Sequence, residues 1–145
     1  MQILNFGSCN IDSVYAVDHI LRPGETISAT SVASFPGGKG LNQSIALARA
    51  GAAVYHAGCI GKDGGMLLDC MHESGVDTRY LRTVDDKTGL AIIQVDKNAE
   101  NAIVIYSGAN GRITKEHIDT VLENFHEGDL MLAQNEISEL PYLIE

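Results

Sequence analysis

FPGGKGLNQSIALARAGA, residues 35–52, runs a proline and three glycines straight into a helical pattern. From Gly40 onward Leu41, Ile45 and Ala48 recur on one stripe, and Gly51 ends the helix. A loop of this kind holds a ligand, and its letters narrow which one. A phosphate-binding P-loop needs a glycine five positions before its Gly-Lys pair, and Ser or Thr after it. Ala33 stands at the first place and Gly40 at the second. A dinucleotide fingerprint GxGxxG counted from Gly38 needs a third glycine where Gln43 stands. Both readings fail. What is left is bare backbone at Gly37 and Gly38 beside the donors of a helix amino end. Lys39 and Asn42, three apart, share a helix face. Lysine donates and asparagine does both, which suits hydroxyl groups better than phosphate.

The surrounding chain alternates strands with helices. Residues 2–8 form a short apolar run that reads as a buried strand, and residues 52–61 form another. Residues 24–35 are rich in β-branched side chains, with Val32 and Ser34 facing away from Ala33 and Phe35. Residues 65–75 make a helix closed by glycine, with Leu67, Cys70 and Met71 inward. Thr114 caps a helix reaching about residue 125, whose apolar face is Ile118, Val121, Leu122 and Phe125. His117 stands where a capping box would need Glu or Gln. Residues 128–136 read as a strand, and SELPYLIE begins one more helix. This order implies an α/β layered fold with a mainly parallel sheet.

Residues 88–108 form a hairpin about a polar DKNAEN turn. Leu90, Ile92 and Gln94 alternate with Ala91, Ile93 and Val95, so both faces are largely apolar. Ile103 and Ile105 oppose Val104 and Tyr106 in the same way. A hairpin outside the main sheet cannot leave two apolar faces in water. One face would cover a ligand or the core, and the other would meet a second subunit. The alternative is a pair of central strands within the main sheet.

Length and composition exclude several classes. At 145 residues one domain with its own core is expected. A net charge of −9 argues against nucleic acid, whose binding needs a basic stripe to displace counterions. No apolar run approaches the ~20 residues that span a bilayer, and MQILNFGS has neither basic leader nor cleavage pattern. Cys9, Cys59 and Cys70 form no CxxC and read as buried reduced thiols of a cytoplasmic protein. The five histidines never fall at a metal-ligand spacing, so no metal site is expected from these residues.

Candidate binding residues collect at one sheet edge. In SCNID, Asn10 and Asp12 point to the same side by the strand period of two, just past the carboxyl end of the first strand. Ligands of open α/β sheets bind there. Glu136 sits at the matching end of the strand DLMLAQ. Carboxylate and amide groups together suit a polyhydroxylated ligand. The competing reading is an Asx turn at Asn10 and solvated carboxylates elsewhere.

N-x-D after the first strand, then G-G-K-G-x-N-Q opening a helix, resembles the amino-terminal signature of the ribokinase-like (PfkB) carbohydrate kinases. IGKDG, GVDT, a TG-initiated hairpin, SGAN and a Glu after a strand follow in the same order. The resemblance covers essentially the whole chain and is nearest the ribokinase branch. It implies a three-layer α/β/α fold with a small β-sheet lid formed by residues of about 13–35 and 88–107. It implies that Asn10, Asp12, the backbone of Gly37 and Gly38, Lys39, Asn42 and Glu136 bind a sugar, ribose first. It also implies ATP and Mg2+ as cofactors and a homodimer joined through the lid.

The resemblance places the catalytic base in a GAGD motif, and these 145 residues contain none. Ser107–Gly111 looks similar but carries Asn110 where the aspartate would be. The expectation is a truncated kinase: the sugar half and lid, without catalytic base or nucleotide-binding half, inactive by itself. A non-catalytic sugar-binding or dimerisation module is the alternative, and an unrelated nucleotide-binding α/β domain a third.

Overall fold

Two four-stranded sheets organise the chain in the computed structural model, which describes residues 1–145. In chain order the elements are β1 (Ile3–Phe6), β2 (Asn10–Ala16), β3 (Ser31–Gly37), α1 (Lys39–Arg49), β4 (Val54–Ile60), α2 (Gly65–Glu73), β5 (Asp77–Thr83), β6 (Gly89–Val95), β7 (Asn101–Tyr106), a 3-10 turn (Gly108–Arg112), α3 (Lys115–Leu122), β8 (Leu130–Ala133) and α4 (Leu140–Ile144). The main sheet has the order β5-β4-β1-β8 with every pair parallel. Parallel strands need both faces covered, and the period of two in β4 supplies both. Ala57 and Cys59 join Leu4, Phe6, Ile118 and Val121 in a core beneath α3 and α4. Val54 and Ile60 join Leu41, Ile45, Leu67 and Met71 in a second core beneath α1 and α2. The result is the three-layer α/β/α arrangement with a parallel sheet.

The second sheet has the order β3-β2-β6-β7. β2 pairs antiparallel with β3 and parallel with β6, and β6 pairs antiparallel with β7. The hairpin therefore lies outside the main sheet, and its reading as two central strands of that sheet is overturned. Asn10 and Asp12 lie just past the carboxyl end of β1, on one side of a strand. They are the first and third residues of β2, because the chain crosses between sheets within Gly7–Cys9.

Several boundaries differ from the sequence expectation, each for a local reason. Residues 24–30 are not strand: Glu25 closes a turn onto the Arg22 carbonyl (3.1 Å) and pairs with His19 at 2.9 Å. α3 ends at Leu122 rather than near residue 125. There Asn124 Nδ2 donates to the Thr120 and Val121 carbonyls at 2.9 and 3.4 Å, which satisfies groups left open at a helix end. Phe125 instead packs against the rings of Tyr55 and Tyr80. β8 starts only at Leu130, after a turn in which Asp129 accepts from the His126 and Gln2 amides. Cys70 faces inward as expected, half-buried against the second core. β5, a polar edge strand with two arginines, has no counterpart in the sequence reading.

Candidate functional site

The chain crosses from β1 to β2 through Gly7, Ser8 and Cys9, and this crossing is the floor on which the site is built. α1 presses its amino end onto it. A Cβ on Gly40 would lie 2.4 Å from Ser8 N and 2.5 Å from the Gly7 backbone, so only glycine permits this approach. Gly38, which precedes the helix, has φ +95°, and a Cβ there would sit 2.8 Å from Ser8 O. Gly37 ends β3 directly against Asp12, where a Cβ would overlap the carboxylate at 2.2 Å. The glycines thus bring bare backbone and the Asp12 carboxylate together.

Six of the seven residues expected at the site line one cleft of about 190 Å³: Asn10, Asp12, Gly38, Lys39, Asn42 and Glu136. Gly37 adjoins it through Asp12. Ala91, Ile93, Ile103 and Ile105 form the opposite wall, all on the face of the second sheet that carries Asn10 and Asp12. A larger hollow of about 360 Å³ lies on the sheet's other face, between Tyr15, Val17, Leu21, Ile27 and Ile92. Its one charged residue, Glu25, is already paired with His19. The smaller cleft is the one where polar groups converge.

Asn10, Glu136 and Lys39 are held by definite partners. Asn110, in the SGAN segment, accepts from Cys9 N at 2.9 Å and donates to Cys9 O and Asn10 Oδ1 at 3.2 and 2.8 Å. Asn10 Oδ1 is thereby engaged, which turns its Nδ2 to act as donor. Glu136 accepts from Ser8 Oγ at 2.8 Å and from Lys39 N at 3.4 Å, and forms an ion pair with Lys39 Nζ. Burial tends to raise the Glu136 carboxyl, but hydrogen bonds from Lys39 and Ser8 hold it below the ordinary glutamate range. Asp12 has no such partner. Burial and then the charge of Glu136 push its carboxyl above the ordinary aspartate range. The cleft therefore offers an unpaired carboxylate, an amide donor at Asn10, the exposed amide of Asn42 and the ammonium of Lys39.

The same geometry bears on cofactors. The amino end of α1 is occupied by the Glu136 carboxylate, and a phosphate placed there would meet a like charge. No three His, Cys, Asp or Glu side chains come together as metal ligands. No helix is long and apolar enough to cross a membrane.

Sequence reasoning did not place Ser8, Asn110 or the four aliphatic residues in the site. Ser8 carries no sequence signal, being one more serine at a strand end. The aliphatic residues had been sorted onto one hairpin face by alternation, and only the direction of that face was missing.

Comparison with known proteins gives the family to which this fold belongs. The family described as pfkB family carbohydrate kinase matches residues 2–140, and the chain belongs to it. The ribokinase of Bacillus subtilis (strain 168) is 40% identical over 136 residues, covering 92% of this chain and 46% of that protein. Ribokinase from Cryptococcus neoformans var. grubii serotype A, solved in complex with ADP, superposes with a TM-score of 0.83. It is 38% identical, covering 99% of this chain and 45% of that one. The Arabidopsis thaliana ribokinase complexed with ribose and ATP gives a TM-score of 0.78 at 28% identity, over 94% of this chain and 46% of that one. The chain spans about half the length of the curated relatives it matches.

Proposed function

We propose that residues 1–145 supply the sugar-binding half and lid of an ATP-dependent kinase that phosphorylates a sugar hydroxyl, with ribose the leading substrate. The observation that carries this reading is the cleft itself. Carboxylate, amide and ammonium groups from three separate parts of the chain converge under an aliphatic wall. The aliphatic face would lie on the sugar's carbon skeleton while Asp12, Asn10, Asn42, Lys39 and Glu136 read its hydroxyls. The names of the relatives point to ribose, and the ADP and ATP in the solved neighbours support a nucleotide as phosphoryl donor.

Phosphoryl transfer to an alcohol also needs a base and a cradle for the transferring group. We place both, with Mg2+, in a nucleotide-binding half outside these residues, and expect the 145-residue chain alone not to turn over. We further assign the second sheet as a lid that pairs with the lid of a second copy, since Val32, Ile92, Val104 and Tyr106 are exposed on its outer face. Three free thiols suit a cytoplasmic protein. A non-catalytic sugar-binding or dimerisation module is the second reading.

Isothermal titration with ribose tests the first reading. The chain binds ribose, and Asp12→Ala lowers the affinity at least about tenfold, because a sugar hydroxyl loses a charged acceptor. Unchanged affinity in a folded Asp12→Ala variant refutes the assignment. ATP-dependent ribose phosphorylation by the purified chain refutes its expected inactivity.

A further inference from the structure

Gln43 marks the sequence motif, yet it does not line the cleft. It belongs instead to a continuous run of polar side chains beneath it. Asn5 Nδ2 donates to Gly40 O at 2.7 Å and to Ser44 Oγ at 2.8 Å. Gln134 Nε2 donates to Asn5 Oδ1 at 2.8 Å and to Gln43 Oε1 at 2.6 Å. Beyond Ser44 the run continues to His56 Nδ1 at 2.8 Å and from His56 Nε2 to Cys9 Sγ at 3.2 Å. Burial keeps that imidazole neutral and that thiol protonated, so the Cys9–His56 pair is no nucleophile.

The direction of every amide in this run follows from one backbone carbonyl. Gly40 O can only accept, so Asn5 must present its NH2 there and its oxygen to Gln134. Gln134 must then present its own NH2, and Gln43 its oxygen. The arrangement leaves Gln134 Oε1 buried without a hydrogen-bond partner, in the space that a Cβ on Gly7 would need, 2.6 Å from it. A buried unsatisfied oxygen is a cost, and natural proteins keep such groups where something else depends on them. Here three cleft residues are close sequence neighbours of the run: Asn42 beside Gln43, Glu136 two residues after Gln134, and Asn10 next to Cys9.

We propose that Gln43 and Gln134 are positioning residues, whose amide–amide bond sets the distance between the Glu136 carboxylate and the first turn of α1. Glu136 and Lys39 are 97 residues apart in sequence, and both contribute to the cleft from segments that end or begin there. The bond ties α1 to the segment leaving β8 behind them, so that Lys39, Asn42 and Glu136 meet a single ligand at once. The proposal rests on the sugar-binding reading for the identity of that ligand, but the geometry it asserts exists without ligand.

Gln43→Met and Gln134→Met keep side-chain length and remove the bond. The first readout is the carbon-13 titration of the Glu136 carboxyl in the ligand-free chain, where Lys39, Ser8 and Asp12 are the groups that face it. The second is ribose affinity by calorimetry. In both variants Glu136 titrates higher than in the wild type, because Lys39 and Ser8 hold its carboxylate less well while burial still raises it. Ribose affinity falls about tenfold, and the double variant is no weaker than Gln134→Met alone, since both changes delete one shared bond. A variant that folds, titrates Glu136 as the wild type does and keeps its ribose affinity overturns the proposal. If Gln134→Met does not fold, Gln43→Met, at a half-buried helix position, decides the matter. If the wild type binds no ribose while the Glu136 titration still moves in the variants, the sugar reading fails and the positioning role stands.

Discussion

Asn110→Ala removes the clamp that joins the start of the second sheet to the 3-10 turn. Asn110 is only 2% exposed and makes three hydrogen bonds, to Cys9 N, Cys9 O and Asn10 Oδ1. The substitution leaves the Cys9 N–H buried with no acceptor, at roughly 1–3 kcal/mol, and weakens two further oxygens by less. A loss of about 3 kcal/mol is expected, against a total stability of about 5–15 kcal/mol for a domain. At roughly 2–4 °C per kcal/mol for a chain near this length, the thermal midpoint falls by about 10 °C. Urea unfolding followed by circular dichroism measures the first figure, and a thermal scan the second. Asn98→Ala is the control: its exposed side chain makes only a 3.4 Å contact with Asp96 in the β6–β7 turn, and it should stay within about 0.5 kcal/mol of wild type. Asn110 also orients Asn10, so ribose affinity falls with the stability. A loss below about 1 kcal/mol refutes the reasoning on the clamp. A full loss with unchanged ribose affinity refutes the role of Asn10.

Acid should weaken the fold through His56, whose burial lowers it to about 4 against a weaker opposing contact with the Gly7 backbone. Below about pH 6.5 the unfolded chain binds a proton there that the folded chain refuses until about pH 4. Stability therefore declines across that window by about 3 kcal/mol, and His56→Gln flattens this part of the urea-midpoint profile. Gly38→Ala meets both a φ of +95° and Ser8 O at 2.8 Å, so a destabilisation of about 2 kcal/mol or more is expected in urea unfolding. Val104 is 67% exposed on the outer face of the second sheet. The proposed pairing of two copies through this face predicts that Val104→Lys sediments as a monomer, with an unfolding midpoint that no longer depends on protein concentration; a dimer that persists refutes the outer face as the interface.

The parts of the fold legible in sequence are those written in short-range pattern. Leu41 and Ile45 mark the buried stripe of α1, and both are buried. Gly51 was expected to stop that helix and does so with φ +89°. Thr114 caps α3 by accepting from His117 N at 3.2 Å. Boundaries failed where a side chain several residues away competed for the backbone, as Asn124 does at the end of α3. β5 was missed because an edge strand with one polar face offers no apolar run to detect.

The candidate site divides along the same line. Letters alone selected Asn10, Asp12, Gly37, Gly38, Lys39, Asn42 and Glu136, because residue type and strand or helix phase are local properties. They also excluded a P-loop at Ala33 and Gly40 before any coordinate was needed. Only the tertiary structure decided that Glu136 is answered by Lys39 and Ser8 while Asp12 is left unpaired, since those pairings join segments about a hundred residues apart. It alone turned Ile93, Ile103 and Ile105 toward the cleft, because alternation separates two faces of a strand but does not say what each one meets. And it alone joined Gln43 to Gln134, 91 residues away, beneath the cleft.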